Sequence, residues 1–196
     1  MAETIRTFIA IELNDRVKQT IRELQGHLKP LGCDISWVKP ENAHLTLKFL
    51  GDVKMKMIQP LTETIENLCR NLHPIETGLT QPGVFPDFRH PRIVWVGLND
   101  DDGKLTRLAE SLETTLGNIG FKKEKRDFQA HITIGRVKSD KNIHRLTESL
   151  ENYRLPMGIT QNIQDICLYK SVLTGSGPIY SVLASFRLGG PDKPSS

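Results

Sequence analysis

The sequence predicts a mixed fold of strands and helices, built from two similar halves that face each other across a groove. Two observations support this prediction. The stretch His44-Leu45-Thr46-Leu47 recurs as His131-Ile132-Thr133-Ile134, at an offset of 131 − 44 = 87. The elements around each copy also recur in the same order: strand, helix, motif strand, helix. An internal duplication is the simplest explanation of such a repeat.

The first half begins with a strand and an amphipathic helix. Segment 7–13 is mostly apolar, as a buried strand is, and Asn14-Asp15 provides the N-cap of the next helix. Pro30 and Gly32 end that helix. Its apolar residues recur at spacings of four, three and four, which predicts one buried stripe formed by Val17, Ile21, Leu24 and Leu28.

The first motif strand follows a short extended segment. That segment covers 35–38 and is broken by Pro40, so the motif strand runs over about 44–50. A second helix is predicted over about 56–72, because its apolar residues alternate spacings of three and four: Ile58, Leu61, Ile65, Leu68 and Leu72.

The second half repeats this order. Strand 92–98 ends in Asn99-Asp100, which matches Asn14-Asp15 at an offset of 100 − 15 = 85. After it come a helix with one leucine face (Leu105, Leu108, Leu112, Leu116), a basic run at 122–126, the second motif strand and a short helix around 143–150.

The remaining apolar segments are predicted to complete the sheets. They cover 77–84, 155–160, 163–173 and 179–188, with a hairpin turn at 174–178. We expect one domain over 1–189 that contains the duplication, and a disordered tail over 190–196.

Each motif alternates polar and apolar residues, which is typical of a half-buried strand. His44 and Thr46 therefore share one face, as do His131 and Thr133, while the apolar residues take the opposite face against the helices. Two such units facing each other would put the two histidines on opposite walls of one groove. If the first motif strand is regular, the side chain of Lys48 lies on the same face as His44.

Composition places the chain among ordinary globular proteins. It has 196 residues, of which 38% are hydrophobic and 25% charged. No apolar run approaches the roughly 20 residues of a membrane span, so we predict a cytoplasmic protein without membrane contact. The three cysteines are odd in number and widely separated, which indicates neither a disulfide framework nor a zinc knuckle. The net charge of +3 permits a phosphate-bearing ligand.

A metal site is the main structural alternative for a pair of histidines. Catalytic zinc usually takes three protein ligands, and neither motif carries a Cys, Asp or Glu at ligand spacing. We therefore predict no metal and no cofactor.

The two motifs resemble those of the two-histidine phosphoesterases. Within that superfamily the chain resembles the RNA 2′,3′-cyclic phosphodiesterases, also called 2′-5′ RNA ligases of the LigT type. Ile134-Gly135-Arg136 stands where the family more often has Leu-Ala-Arg, and the arginine is retained. Further similar segments are 6–11, Trp37-Val38, 44–51, Gly83-Val84-Phe85-Pro86, Trp95-Val96-Gly97 and Gly177-Pro178-Ile179-Tyr180.

The resemblance implies both a fold and a reaction. The fold is α+β and bilobed, with two antiparallel sheets and outer helices around a central cleft. The reaction is hydrolysis of an RNA 2′,3′-cyclic phosphodiester to a 2′-phosphomonoester, with 2′-5′ ligation as its reverse. The implied substrates are RNA with a cyclic phosphate end, tRNA fragments included, or small cyclic nucleotides, and the implied state is a monomer. His44 is the implied proton donor and His131 the implied proton acceptor.

This chemistry explains why two histidines and two threonines are needed. Ring opening takes a base for the water and an acid for the leaving oxygen, and imidazole, with a pKa of about 6.5, can serve as either near neutral pH. We expect a bell-shaped pH dependence whose two pKa values bracket neutrality. Thr46 and Thr133 can donate hydrogen bonds to the phosphate oxygens, and Arg136 and Lys48 can add charge-assisted ones.

Three alternatives remain open on the sequence alone. Arg136 could pair with an acid at the interface of the two halves instead of binding phosphate. The basic run Lys122–Arg126 could be a solvated edge of the protein instead of a contact with RNA. The whole groove could belong to a nucleotide- or RNA-binding module without catalysis.

Overall fold

A computed structural model describes residues 3–175 and 177–189 of the chain. The predicted tail over 190–196 lies outside these residues. In chain order the strands and helices are β1 (Thr4–Glu12), α1 (Asp15–Leu28), β2 (Ile35–Trp37), β3 (His44–Lys54), α2 (Ile58–Cys69), β4 (Ile75–Phe85), β5 (Ile93–Leu98), α3 (Lys104–Asn118), β6 (His131–Val137), α4 (Ile143–Asn152), β7 (Thr160–Ile163), β8 (Asp165–Thr174) and β9 (Gly177–Arg187).

The strands form one antiparallel sheet that divides into two lobes. The strand order is β7-β4-β5-β6-β3-β1-β8-β9, and β2 pairs with β6. The motif strands β3 and β6 meet at a single registered pair, Leu45 with Ile132. The first lobe is thus β1, β3, β8 and β9, and the second lobe is β2 and β4–β7. The predicted α+β class and bilobed arrangement are confirmed, although the two sheets are continuous at the motif strands.

The helices pack their predicted stripes on one face of this sheet. Leu45 and Ile132 are fully buried beneath them, so the apolar half of each motif lies in the core. The stripes of α1 and α3 are buried as the spacing predicts: Val17, Ile21, Leu24, Leu28, Leu105, Leu108, Leu112 and Leu116. Burial of these side chains leaves the other face of the sheet to the polar half of the motifs.

One predicted strand is wrong. Residues 155–159 form no strand, and β7 begins only at Thr160. Pro156 and a turn at Met157-Gly158, where Gly158 has a φ of 74°, interrupt the apolar run. Proline lacks the amide hydrogen that a ladder needs and glycine tolerates positive φ, so this segment turns the chain instead of pairing.

Both motif strands contain a β-bulge at the same place. In the first lobe Ala10 pairs with Thr46 and Ile9 with Lys48, so Leu47 is an extra residue. In the second lobe Trp95 pairs with Thr133 and Val94 with Gly135, so Ile134 is the extra residue. A bulge shifts the alternation of the strand by one residue, so the side chains beyond it change faces.

No helix among residues 3–175 and 177–189 is long and apolar enough to cross a membrane. Cys33, Cys69 and Cys167 are free thiols.

Candidate active site

Two histidines and two threonines lie on one face of the sheet where the lobes meet. They flank the buried pair Leu45–Ile132, so their side chains leave the strands on the opposite face from the helices. In an antiparallel register the flanking residues face each other across the strands, His44 toward Thr133 and Thr46 toward His131. The fold therefore brings the two motifs into one cleft.

A main-chain carbonyl fixes the ring of each histidine. Nδ1 of His44 lies 2.8 Å from the carbonyl oxygen of Asn42, and Nδ1 of His131 lies 2.7 Å from that of Gln129. A carbonyl only accepts, so Nδ1 donates in both rings and Nε2 is the nitrogen left for proton transfer. The carbonyl comes two residues before the histidine in both lobes.

Aromatic rings enclose His44 on the first lobe. Phe8 stacks on its imidazole with centroids 4.8 Å apart, and the ring of Tyr180 meets it edge-on at 5.3 Å. Tyr169 stacks on Phe8 with centroids 5.2 Å apart, and its ring lies 6.4 Å from the imidazole of His44. These rings shield His44 from water and hold its plane.

His131 has a similar setting on the second lobe. Phe85 meets its ring edge-on at 4.9 Å, and Trp95 lies 6.5 Å away at an angle of 67°. No local pattern in the sequence shows that these aromatic residues converge on the histidines. Phe8, Phe85, Trp95 and Tyr180 lie in segments that carry the family resemblance, and Tyr169 lies outside them.

The pKa values of both histidines lie below the usual value of 6.5. Burial is the largest cause, since it disfavours the charged imidazolium. The hydrogen bond from each Nδ1 to its carbonyl raises the pKa again, and the positive charge of Arg136 lowers it further. One cation thus acts on both rings.

Arg136 lies in the cleft because of the bulge at Ile134. In a regular strand it would share the buried face of Ile134, but the extra residue turns it to the face of the histidines. Within the described chain no carboxylate forms an ion pair with it, so the alternative of a pairing at the lobe interface has no support. Its charge reaches Tyr180 as well as the two histidines.

Gly135 takes the buried position that the same bulge creates. A Cβ there would lie 2.8 Å from Cγ2 of Ile35 and 3.0 Å from Cε3 of Trp37. The two large side chains of β2 leave no room for the alanine that the family more often has. The departure from the family pattern is thus explained by the neighbouring strand and leaves Arg136 in place.

The placement of Lys48 was wrong, because β3 is not regular. The bulge at Leu47 turns Lys48 to the helix face, where its side chain is only 2% exposed. Its Nζ lies 2.5 Å from Oε2 of Glu113 on α3 and donates to the carbonyl of Lys122 at 2.9 Å. A buried lysine with a carboxylate partner has a structural role, and Lys48 does not reach the cleft as a phosphate ligand.

Thr46 and Thr133 keep their hydroxyl groups available. Both side chains are partly exposed on the cleft face. Across residues 3–175 and 177–189 neither hydroxyl has a protein hydrogen-bond partner. The same residues contain no cluster of three or more His, Cys, Asp and Glu side chains able to hold a metal ion.

The lowered pKa values of the two histidines favour a bell-shaped pH dependence that is shifted toward acid pH. We expect kcat/KM, which reports the free enzyme, to follow a bell whose maximum lies below about pH 6.5. Each ring loses its proton at a lower pH than a free imidazole does, so the singly protonated pair is populated in that acidic range.

Rates with a mononucleoside cyclic phosphate between about pH 4 and pH 8 would measure this. Arg136→Gln removes one cause of the lowering, so its optimum should move to higher pH. A wild-type optimum above neutrality would contradict the burial of the two rings.

The comparisons with known proteins agree with this cleft. The family model of the 2′-5′ RNA ligase superfamily matches residues 12–172. A Methanothermobacter thermautotrophicus protein named RNA 2′,3′-cyclic phosphodiesterase is 33% identical over 94% of this chain and 99% of its own. A Methanocaldococcus jannaschii protein of the same name is 35% identical over 91% and 98%.

Solved structures share the fold. E. coli LigT in its apo form superposes with a TM-score of 0.78 at 24% identity, covering 95% of this chain and 98% of LigT. LigT has also been crystallised with 3′-AMP, and that structure gives a TM-score of 0.76. The family match spans most of the chain and includes both His-x-Thr motifs, so the chain belongs to the 2′-5′ RNA ligase superfamily.

Proposed function

We propose that the protein hydrolyses the 2′,3′-cyclic phosphodiester end of RNA to a 2′-phosphomonoester. The observation that supports this most strongly is the matched pair of histidines, each with Nδ1 bound to a carbonyl and Nε2 left for the cleft. The relatives named RNA 2′,3′-cyclic phosphodiesterase support the same reaction. The complex of LigT with 3′-AMP supports a nucleotide as the ligand of the cleft.

The resemblance to the two-histidine phosphoesterases assigns a different role to each histidine. Nε2 of neutral His131 takes a proton from water, and the water oxygen forms a bond to phosphorus. The bond from phosphorus to the 3′-oxygen breaks, and the Nε2 proton of His44 passes to that oxygen. The product carries a 2′-phosphate, and the proton has moved from one histidine to the other.

Negative charge grows on the non-bridging oxygens as the new bond forms. Thr46 and Thr133 donate hydroxyl hydrogen bonds to them, one from each lobe, and the guanidinium of Arg136 adds a charged contact. Burial among aromatic rings strengthens these contacts, because fewer water molecules screen them.

The same cleft accounts for ligation. If the 5′-hydroxyl of a second RNA replaces the water, the same proton transfers produce a 2′-5′ phosphodiester.

The rival function is a nucleotide- or RNA-binding module without turnover, and the completeness of both motifs argues against it. RNA ends, tRNA fragments and small cyclic nucleotides as substrates, a monomeric state and a cytoplasmic location stay predictions.

We expect full activity in excess EDTA. A dinucleotide with a 2′,3′-cyclic phosphate would be incubated with the protein and chelator, and the isomeric products separated. Turnover to the 2′-phosphate supports the proposal. Loss of activity in EDTA, restored by zinc or manganese, would contradict a metal-free mechanism, and tight binding without turnover would favour the binding module.

A further inference from the structure

Gln25 is a polar side chain in the buried face of α1. It is only 1% exposed, and its neighbours in that face include Leu24 and Leu28, which are fully buried. Burial of an amide is unfavourable unless its donors find hydrogen-bond partners. A glutamine at this position therefore has to bind a polar group that the rest of the core leaves available.

The amide of Gln25 binds the bulge of the second motif strand. Its Nε2 donates to the carbonyl oxygen of Ile134 at 3.0 Å and to that of Val38 at 2.7 Å. Ile134 is the extra residue of the bulge, and its carbonyl also accepts the main-chain N–H of Val38 at 3.0 Å. One side chain thus connects α1, the residue that follows β2 and the bulge in β6.

The same bulge determines where Arg136 points. Without the extra residue, Arg136 would take the face of Ile134, whose side chain is fully buried. With the bulge, the guanidinium lies on the cleft face, and its charge acts on His44, His131 and Tyr180. The position of this charge therefore depends on the main chain at Ile134.

Glu113 on α3 has an equivalent place in the other half of the chain. Gln25 and Glu113 each directly follow one buried leucine and come three residues before another, and 113 − 25 = 88 is close to the motif offset of 87. Glu113 binds Nζ of Lys48, the residue after the bulge in β3. Each helix thus carries one polar side chain to the bulge of the motif strand in the other half.

We propose that Gln25 is a positioning residue for Arg136. Its amide holds the carbonyl of Ile134 and keeps the bulge that turns the guanidinium to the cleft. Catalysis then depends on Gln25, although this residue lies on the opposite side of the sheet from the substrate. That consequence rests on the proposed function, whereas the position of the Arg136 charge is measurable without turnover.

The test uses Gln25→Met, which keeps the length of the side chain and removes the amide hydrogens. Thr20→Val on the same helix is the matched control, because Thr20 is also buried and its hydroxyl donates to the carbonyl of Arg16 within α1. Both variants lose a buried hydrogen bond, but only Gln25→Met loses one to β6. The histidine rings are titrated by NMR in wild type, both variants, Arg136→Gln and the double variant Gln25→Met/Arg136→Gln.

We expect Gln25→Met to raise the pKa of both His44 and His131, as Arg136→Gln does, because both changes take the same positive charge away from the rings. The double variant should titrate like Arg136→Gln alone, since Gln25 acts through Arg136. Thr20→Val should titrate like wild type. For a mononucleoside 2′,3′-cyclic phosphate, kcat/KM should fall about tenfold in Gln25→Met, and the double variant should lose no more than Arg136→Gln does.

Several results would overturn the proposal. Unchanged titrations in Gln25→Met, or an equal change in Thr20→Val, would mean that the amide only stabilises the core. A further rise in the double variant would mean that Gln25 acts on the histidines by another path. If Gln25→Met does not fold, Gln25→Asn takes its place with the same expected result, because its amide is too short to reach Ile134. If wild-type protein does not turn over the cyclic phosphate, the proposed function fails, and the titrations still decide the role of Gln25.

Discussion

His44→Ala and His131→Ala should each lower kcat on an RNA cyclic phosphate by about 10²–10⁴, but only one of them should be rescued by a better leaving group. If His44 protonates the 3′-oxygen, its loss matters less for a nitrophenyl ester, whose leaving group needs no proton. His131→Ala should gain nothing from that ester, because its missing task is activation of water.

The structure adds a control for this experiment. His144 is an exposed histidine on α4 and lies outside both motif strands, so His144→Ala should retain wild-type rates. Thermal unfolding would check that removing His44, which stacks on Phe8, leaves the fold intact. Rescue of His131→Ala alone would reverse the two roles, and equal rescue of both variants would mean that the histidines bind phosphate without moving protons.

Thr46→Val and Thr133→Val should each lower kcat by up to about 10²-fold, with a smaller effect on KM. Valine keeps the branched shape that a strand favours and removes only the hydroxyl, so the change reports the hydrogen bond to the transition state. The measurement is kcat and KM for a dinucleotide cyclic phosphate with each variant.

Thr7 on β1 is the matched control for the threonine variants. Its buried hydroxyl has no hydrogen-bond partner among the described residues. Thr7→Val should therefore leave activity unchanged and should not destabilise the protein, since no hydrogen bond is lost. Wild-type rates in both motif variants would show that the hydroxyl groups of Thr46 and Thr133 do not contribute to catalysis.

Local patterns in the sequence predicted the helices and the motif strands well. The spacing of apolar residues in α1 and α3 depends only on helix geometry, and burial follows it closely. The strand predicted over 155–160 is wrong because the prediction relied on the apolar content of the segment, whereas Pro156 and Gly158 turn the main chain there. Apolar content alone does not show whether the main chain can pair.

The surroundings of the histidines could not be predicted in the same way. Phe8 and Tyr180 meet at His44 from opposite ends of the chain, and only the sheet order brings them together. Lys48 was misplaced because a bulge depends on the register with a neighbouring strand, which the motif itself does not encode. The carbonyl partners of Nδ1 belong to the main chain, so side-chain identity gives no signal for them.

The two bulges also determine which side chains face the cleft beyond each motif, and these side chains differ between the two halves of the duplication. Beyond them, Phe49 and Arg136 occupy equivalent positions, since 136 − 49 = 87 is also the offset between the histidines. One wall therefore presents a flat apolar ring where the other presents a cation, so the two sides of this near-symmetric cleft differ in chemistry. For the proposed reaction, this mismatch between the repeats offers a way to distinguish the two ester oxygens of the cyclic phosphate that needs no difference between the histidines themselves.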